Sequence, residues 1–116
     1  MEAKNGVVET YYDNGQIESR SNYKNDKHNG LCETWYENGQ LQESAMYKDG
    51  KLKGPWETWY KNGQLKSRSN HENGKLNGLW ETWHKNGRPW SRANYKNGKL
   101  NGLYESWYGN GQLCVS

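Results

Sequence analysis

The chain has 116 residues, a net charge of +3, a mean hydropathy of -1.38 and only 31% hydrophobic residues. That length suits one domain, but so few apolar residues exclude a conventional aliphatic core and the walls of a deep, dry catalytic pocket. An aromatic share of 14%, made of 7 Trp and 9 Tyr with no Phe, excludes simple disorder, and the modest charge is below what phosphate-backbone binders usually carry.

The run from Met1 to Gly6 lacks the apolar centre of a secretory signal, and no segment is apolar for long enough to span a bilayer. Cys32 and Cys114 make no disulfide framework, and Cys114 is misplaced for prenylation. The expectation is a reduced, cytoplasmic protein without membrane insertion.

From Gly6 onward the chain repeats itself. Gly6, Gly30, Gly54, Gly78 and Gly102 stand 24 residues apart, and so do Gly15, Gly39, Gly63, Gly87 and Gly111. Each of the second set follows an asparagine: Asn14, Asn38, Asn62, Asn86 and Asn110. The first strand of each unit reads VVETYY, LCETWY, PWETWY, LWETWH and LYESWY in turn. After the Asn-Gly pair the second strands read QIESRSNY, QLQESAMY, QLKSRSNH and RPWSRANY, and the fifth unit stops partway. A further turn closes each unit, at Asn25-Asp26, Asp49-Gly50, Asn73-Gly74 and Asn97-Gly98. Asn-Gly between strand formers predicts a hairpin with a type I′ turn, and glycine this frequent stops a helix. The fold predicted over residues 1–116 is therefore all-β. It is a single-layer, twisted antiparallel meander of five 24-residue β-hairpin repeats starting at those first glycines, about ten strands and roughly 45 Å long.

Counting outward from two-residue turns assigns the faces. With Asn62-Gly63 as the loop, Tyr60 opposes Leu65, Trp59 opposes Lys66, Thr58 faces Ser67 and Glu57 faces Arg68. From the Asn73-Gly74 turn, His71 opposes Leu76 and Ser67 meets Trp80. One face then carries Tyr12, Tyr36, Tyr60, His84 and Tyr108 with Ile17, Leu41, Leu65 and Leu113. Tyr23, Tyr47, Tyr95, Leu52, Leu76 and Leu100 join them, and this is the expected packed side. The opposite face carries Tyr11, Trp35, Trp59, Trp83 and Trp107. Beside those rings run Glu9, Glu33, Glu57, Glu81 and Glu105, with Arg20, Arg68 and Arg92 opposite Glu9, Glu57 and Glu81. Glu33 faces Ser44 and is expected to be the freest acceptor.

Tyr95-Lys-Asn-Gly-Lys-Leu-Asn-Gly102 and Tyr47-Lys-Asp-Gly-Lys-Leu-Lys-Gly54 resemble the MORN repeat, an aromatic residue, a turn and a glycine that opens the next strand. Trp59 to Leu65, with its Trp-Tyr-x-Asn-Gly-x-Leu pattern, resembles the bacterial variant of that repeat, found in YwqK-type antitoxin or immunity proteins. The resemblance runs from Gly6 to Leu113 and implies a single sheet of successive hairpins. For function it implies, in the variant, a protein that binds and blocks a toxic enzyme. Ordinary arrays are associated with lipids, scaffolds and dimerisation. This chain has Glu-Thr-Trp, as in Glu81-Thr82-Trp83, where those have Gly-x-Gly, which favours the variant.

Residues able to do chemistry are sparse. His71 and His84 replace tyrosines of other repeats, so packing suits them better than base catalysis. Asp13, Asp26 and Asp49 fall at turns, and the cysteines lack zinc spacing. No enzyme, metal or cofactor is expected. The expected protein-binding surface comprises Trp35, Trp59, Trp83, Trp107, Glu33, Glu57, Glu81, Arg68 and Arg92, because Trp ringed by Arg and Glu has the composition of an interface hot spot. Its partner would be another protein, such as a toxic or nucleic-acid-cleaving enzyme. The alternatives are a scaffold that oligomerises through edge strands at Glu2–Thr10 or Leu103–Ser116. Last comes a lipid-head-group or nucleic-acid binder using turn lysines such as Lys27, Lys48, Lys51 and Lys75.

Overall fold

The structure is a computed structural model and describes residues 3–114. In chain order the strands are β1 (Gly6–Tyr11), β2 (Ile17–Lys24), β3 (Lys27–His28), β4 (Gly30–Trp35), β5 (Leu41–Lys48) and β6 (Lys51–Trp59). There follow β7 (Leu65–Glu72), β8 (Lys75–Leu76), β9 (Gly78–Trp83), β10 (Pro89–Lys96) and β11 (Lys99–Ser106). All are antiparallel neighbours in one sheet ordered β1-β2-β4-β5-β6-β7-β9-β10-β11, with the two-residue β3 and β8 pairing β2 and β7. The molecule measures 53 × 36 × 14 Å, so it is one layer thick, as five tandem hairpins require.

The two turns of each repeat are built differently. At Asn73-Gly74 both residues have positive φ (51° and 82°) and His71 pairs Leu76, the expected two-residue type I′ hairpin. At Asn62-Gly63 only the glycine has positive φ, 89°. The Gly63 N–H donates to the Tyr60 carbonyl at 3.0 Å and the Tyr60 N–H to the Gln64 carbonyl at 2.9 Å, which makes a three-residue loop closed by a left-handed glycine.

That loop corrects part of the face assignment. It shifts the register by one residue, so Trp59 pairs Leu65 and not Lys66. A bulge at Lys66 then restores Thr58 opposite Ser67 and Glu57 opposite Arg68. The same irregularity recurs in the first, second and fourth units, where Tyr11 pairs Ile17, Trp35 pairs Leu41 and Trp83 pairs Pro89. Trp107 bridges Leu113 in the fifth. Ile17, Leu41, Leu65 and Leu113 therefore belong to the tryptophan face, not to the tyrosine face. Ser67 meets Thr82 and not Trp80, because two extra residues around Gly78, between Leu76 and Trp80, slip the strand by two. An even slip preserves the faces.

The packed side is the tyrosine face. The buried residues among those described are Ala45, Ser69, His71, Ser91 and Ala93, and all five lie there. Large rings stand over small neighbours: Trp56 pairs Ala45 and Ser69, and Ala93 pairs Trp80 and Tyr104. Trp80 lies at 6.0 Å from Tyr104, and Trp56 at 5.7 Å from His71. Alternating bulk of this kind lets a single twisted sheet exclude water from part of one face without a second layer.

Neighbouring repeats are tied along both rims: at the inter-repeat turns the N–H groups of Gly50, Gly74 and Gly98 donate to the carbonyls of His28, Leu52 and Leu76, and the other ties lie on the Asn-Gly rim. Tyr12, Tyr36 and Tyr60 donate from their hydroxyls to the carbonyls of Trp35, Trp59 and Trp83, 23 residues on. His84 makes the equivalent bond to the Trp107 carbonyl at 2.9 Å, which requires a proton on Nε2. Asn14, Asn38, Asn62 and Asn86 each accept from the N–H two residues on and donate to a backbone carbonyl of the next unit's loop.

Candidate protein-binding face

Opposite the packed side, three rows of side chains run across the strands. The first is the charge ladder. In register order it reads Glu9, Arg20, Glu33, Ser44, Glu57, Arg68, Glu81, Arg92, Glu105. Arg20 pairs Glu9 at 2.9 Å and Glu33 at 3.9 Å, Arg68 pairs Glu81 at 3.3 Å and Arg92 pairs Glu105 at 3.6 Å. Glu33 is thus not a free acceptor; it holds Arg20 from the strand before it. Glu57 has no ion pair among the described residues, since Arg68 turns away to Glu81. Exposed pairs of this kind contribute little to stability one by one, but as a network they fix the orientation of their side chains.

The second row holds the indoles. Trp35, Trp59, Trp83 and Trp107 are half-buried, each opposite an aliphatic residue or Pro89. Arg20, Arg68 and Arg92 lie 5.5, 5.5 and 5.6 Å from the ring centroids of Trp35, Trp83 and Trp107. A narrow crevice of about 80 Å³ opens between Trp83, Pro89, Arg92 and Trp107. Three of the four rings therefore carry a guanidinium over them, and all four remain half-buried.

The third row was not singled out in the sequence. Val7, Leu31, Pro55, Leu79 and Leu103 recur at the repeat spacing on the same face, and Met46 lies opposite Leu31. All are exposed, from 38% at Met46 to 74% at Leu103 among those with values. A shallow trough of about 450 Å³ lies between Leu79 and Leu103, bordered by Arg92 and Glu105. The signal was present in the first letter of each strand after Gly6, Gly30, Gly54, Gly78 and Gly102. It was masked because period-two counting gives equal weight to a packed and an open face. The expected nine site residues thus share one face, with these aliphatic side chains beside them.

Outside this face the reactive side chains have structural occupations. His28 stacks against Tyr23 at 4.7 Å and lies tilted to Tyr47 at 5.0 Å, and its Nδ1 lies 3.4 Å from the Cys32 sulfur. His71 Nε2 contacts the Ser69 hydroxyl at 2.9 Å, and burial pushes its pKa down. Burial likewise pushes the Tyr60 phenol up, so the hydroxyl stays neutral and donates. No group of three or more potential metal ligands occurs among the described residues, and no helix there is long and apolar enough to cross a membrane. On the packed face, the bulge residues Lys66 and Trp90 border a hollow of about 310 Å³ with Tyr60, Trp80 and Tyr104. Lys27, Lys48, Lys51 and Lys53 surround another of about 370 Å³ on the inter-repeat rim, with Asp49 among them.

A single sheet of tandem hairpins, with its side chains in columns at a fixed spacing, defines a repeat protein whose units contact only their neighbours. The family model described as MORN repeat variant matches residues 4–25, 29–49, 52–73, 76–97 and 100–115, and the chain belongs to that family. No curated protein matches the chain.

Proposed function

We propose that the chain is a non-catalytic inhibitor that binds another protein through the tryptophan face and neutralises it, as antitoxin or immunity proteins do. The observation that carries this reading is the joint presence on one face of exposed aliphatic side chains, supported indoles and an ordered charge ladder. Two apolar rows flanking oriented charges bring together the residue types of a protein interface, whose energetics aromatic and arginine residues dominate. Because the sheet is cross-tied along both rims, little ordering remains to be done on binding, which favours tight association. The bacterial YwqK-type resemblance supports the choice of a toxic or nucleic-acid-cleaving enzyme as the target.

The reading is tested with the open reading frame beside the gene. Expressed alone, its product arrests growth; expressed with this protein, it does not. A Trp59→Ala, Trp83→Ala double variant accumulates folded but fails to protect. A neighbouring product that is harmless and forms no complex contradicts the reading. The exposed edge strand β1 supports a second reading, a scaffold that grows through its edges. In that case light scattering gives a mass above 13.6 kDa that rises with concentration.

A further inference from the structure

One rung of the charge ladder lacks its cation. At the spacing of Arg20, Arg68 and Arg92 the second repeat has Ser44, which stands between Glu33 and Glu57 in the register. Arg68 and Arg92 pair the glutamate of the following strand, Glu81 or Glu105, whereas Arg20 bonds Glu9 of the preceding strand at 2.9 Å and reaches Glu33 of the following one at 3.9 Å. Each of the three lies over the indole two residues beyond the following strand's glutamate. Glu57 and Trp59 occupy those two places on β6. Among the described residues, Glu57 has no ion pair and Trp59 has no cation over its ring. Strand β5, which carries Ser44, also departs from the repeat at Met46, which replaces the asparagine of Asn22, Asn70 and Asn94 and is 38% exposed. The empty rung is thus bordered by a half-buried carboxylate, an uncapped indole and an exposed thioether.

We propose that this gap is the seat of an arginine side chain supplied by the protein partner, its guanidinium paired to Glu57 and stacked on Trp59. The inference rests on the reading that this face binds a protein. Its support is internal: three repeats of the same chain hold a guanidinium in this setting, against the same two residue types. Arginine fits better than lysine because its planar fork can bond a carboxylate while lying flat on a ring. Met46 offers an apolar surface for the aliphatic stem.

The test uses N-acetyl-arginine amide as the probe, with the four ladder indole N–H resonances followed by NMR. The Trp59 signal shifts and saturates, while those of Trp35, Trp83 and Trp107 move little. N-acetyl-lysine amide is weaker, and Glu57→Gln weakens the arginine probe by about two- to fivefold, the range of an exposed ion pair. Ser44→Arg, which restores the residue of the other repeats and so folds, removes the response; Ser44→Ala keeps it. No saturable shift, equal shifts on all four indoles, or a response unchanged in Ser44→Arg overturns the seat. None of these arms needs the partner. Where the partner is in hand, Ser44→Arg fails to protect; a Ser44→Arg protein that protects while Trp59→Ala, Trp83→Ala does not leaves the face standing and removes the arginine.

Discussion

At the scale of single residues, the repeat assigns each ring a distinct task. The tyrosine hydroxyls at Tyr36 and Tyr60 reach the next unit's tryptophan carbonyl at 2.6 and 2.7 Å, so they are couplings between repeats more than packing elements. Tyr36→Phe or Tyr60→Phe leaves a part-buried carbonyl without its donor and lowers stability by about 1 kcal/mol in urea unfolding. His84→Tyr restores the common residue and is neutral within a few tenths of that. His71 gives the fold a pH dependence. Burial holds its folded pKa below the ordinary 6.5, so between the two values the unfolded chain binds a proton that the folded chain refuses. Its contribution is complete above about pH 6.5 and falls away as the pH drops toward the folded value. Unfolding midpoints between pH 7 and pH 5 show the loss, and His71→Tyr, the residue of three other repeats, flattens that part of the profile.

At the scale of the element, two turns that look alike in the sequence differ in what the asparagine does. Asn73 sits at φ 51° and is chosen for backbone freedom, whereas Asn62 is chosen for its amide, which bonds Gln64 and Lys85. Asn73→Gly is therefore nearly neutral, and Asn62→Gly costs about 1 kcal/mol in chemical unfolding. Equal losses would contradict the distinction. This is also where the sequence was readable only in part. The period, the hairpins and the register that sets Glu57 opposite Arg68 follow from the spacing of Gly and Asn and from alternation. The loop length does not, because Asn-Gly fits both a two-residue turn and a turn ending in a left-handed glycine. The bulge at Lys66 offsets the one-residue difference in loop length, so counting from the turn gives Glu57 opposite Arg68 correctly but puts Leu65 on the wrong face. The partner of Glu33 is illegible for a related reason: it comes from β2, across a register slip around Gly30 that no turn signal marks.

At the scale of the whole molecule, the sheet separates the residues that hold it together from those free to meet a partner. Trp56 and Trp80 shield Ala45, Ser69 and Ala93 on one side. Trp35, Trp59, Trp83 and Trp107 line up on the other, and the charge ladder runs between them and the row of aliphatic side chains at Leu31, Pro55, Leu79 and Leu103. The absence of phenylalanine fits a layer of 14 Å with solvent within reach of both faces, where the polar edges of indole and phenol remain useful. Phenylalanine at these places would leave the same faces apolar without a donor for the carbonyls that link the units. The most direct test compares the two sides. Trp56→Ala with Trp80→Ala, and Trp59→Ala with Trp83→Ala, are each measured for urea midpoint and for protection against the neighbouring gene product. The account predicts that the first pair unfolds the sheet, and that the second keeps a folded sheet but loses protection. A second pair that unfolds as readily as the first, or that stays folded and protects as well as the wild type, would contradict it.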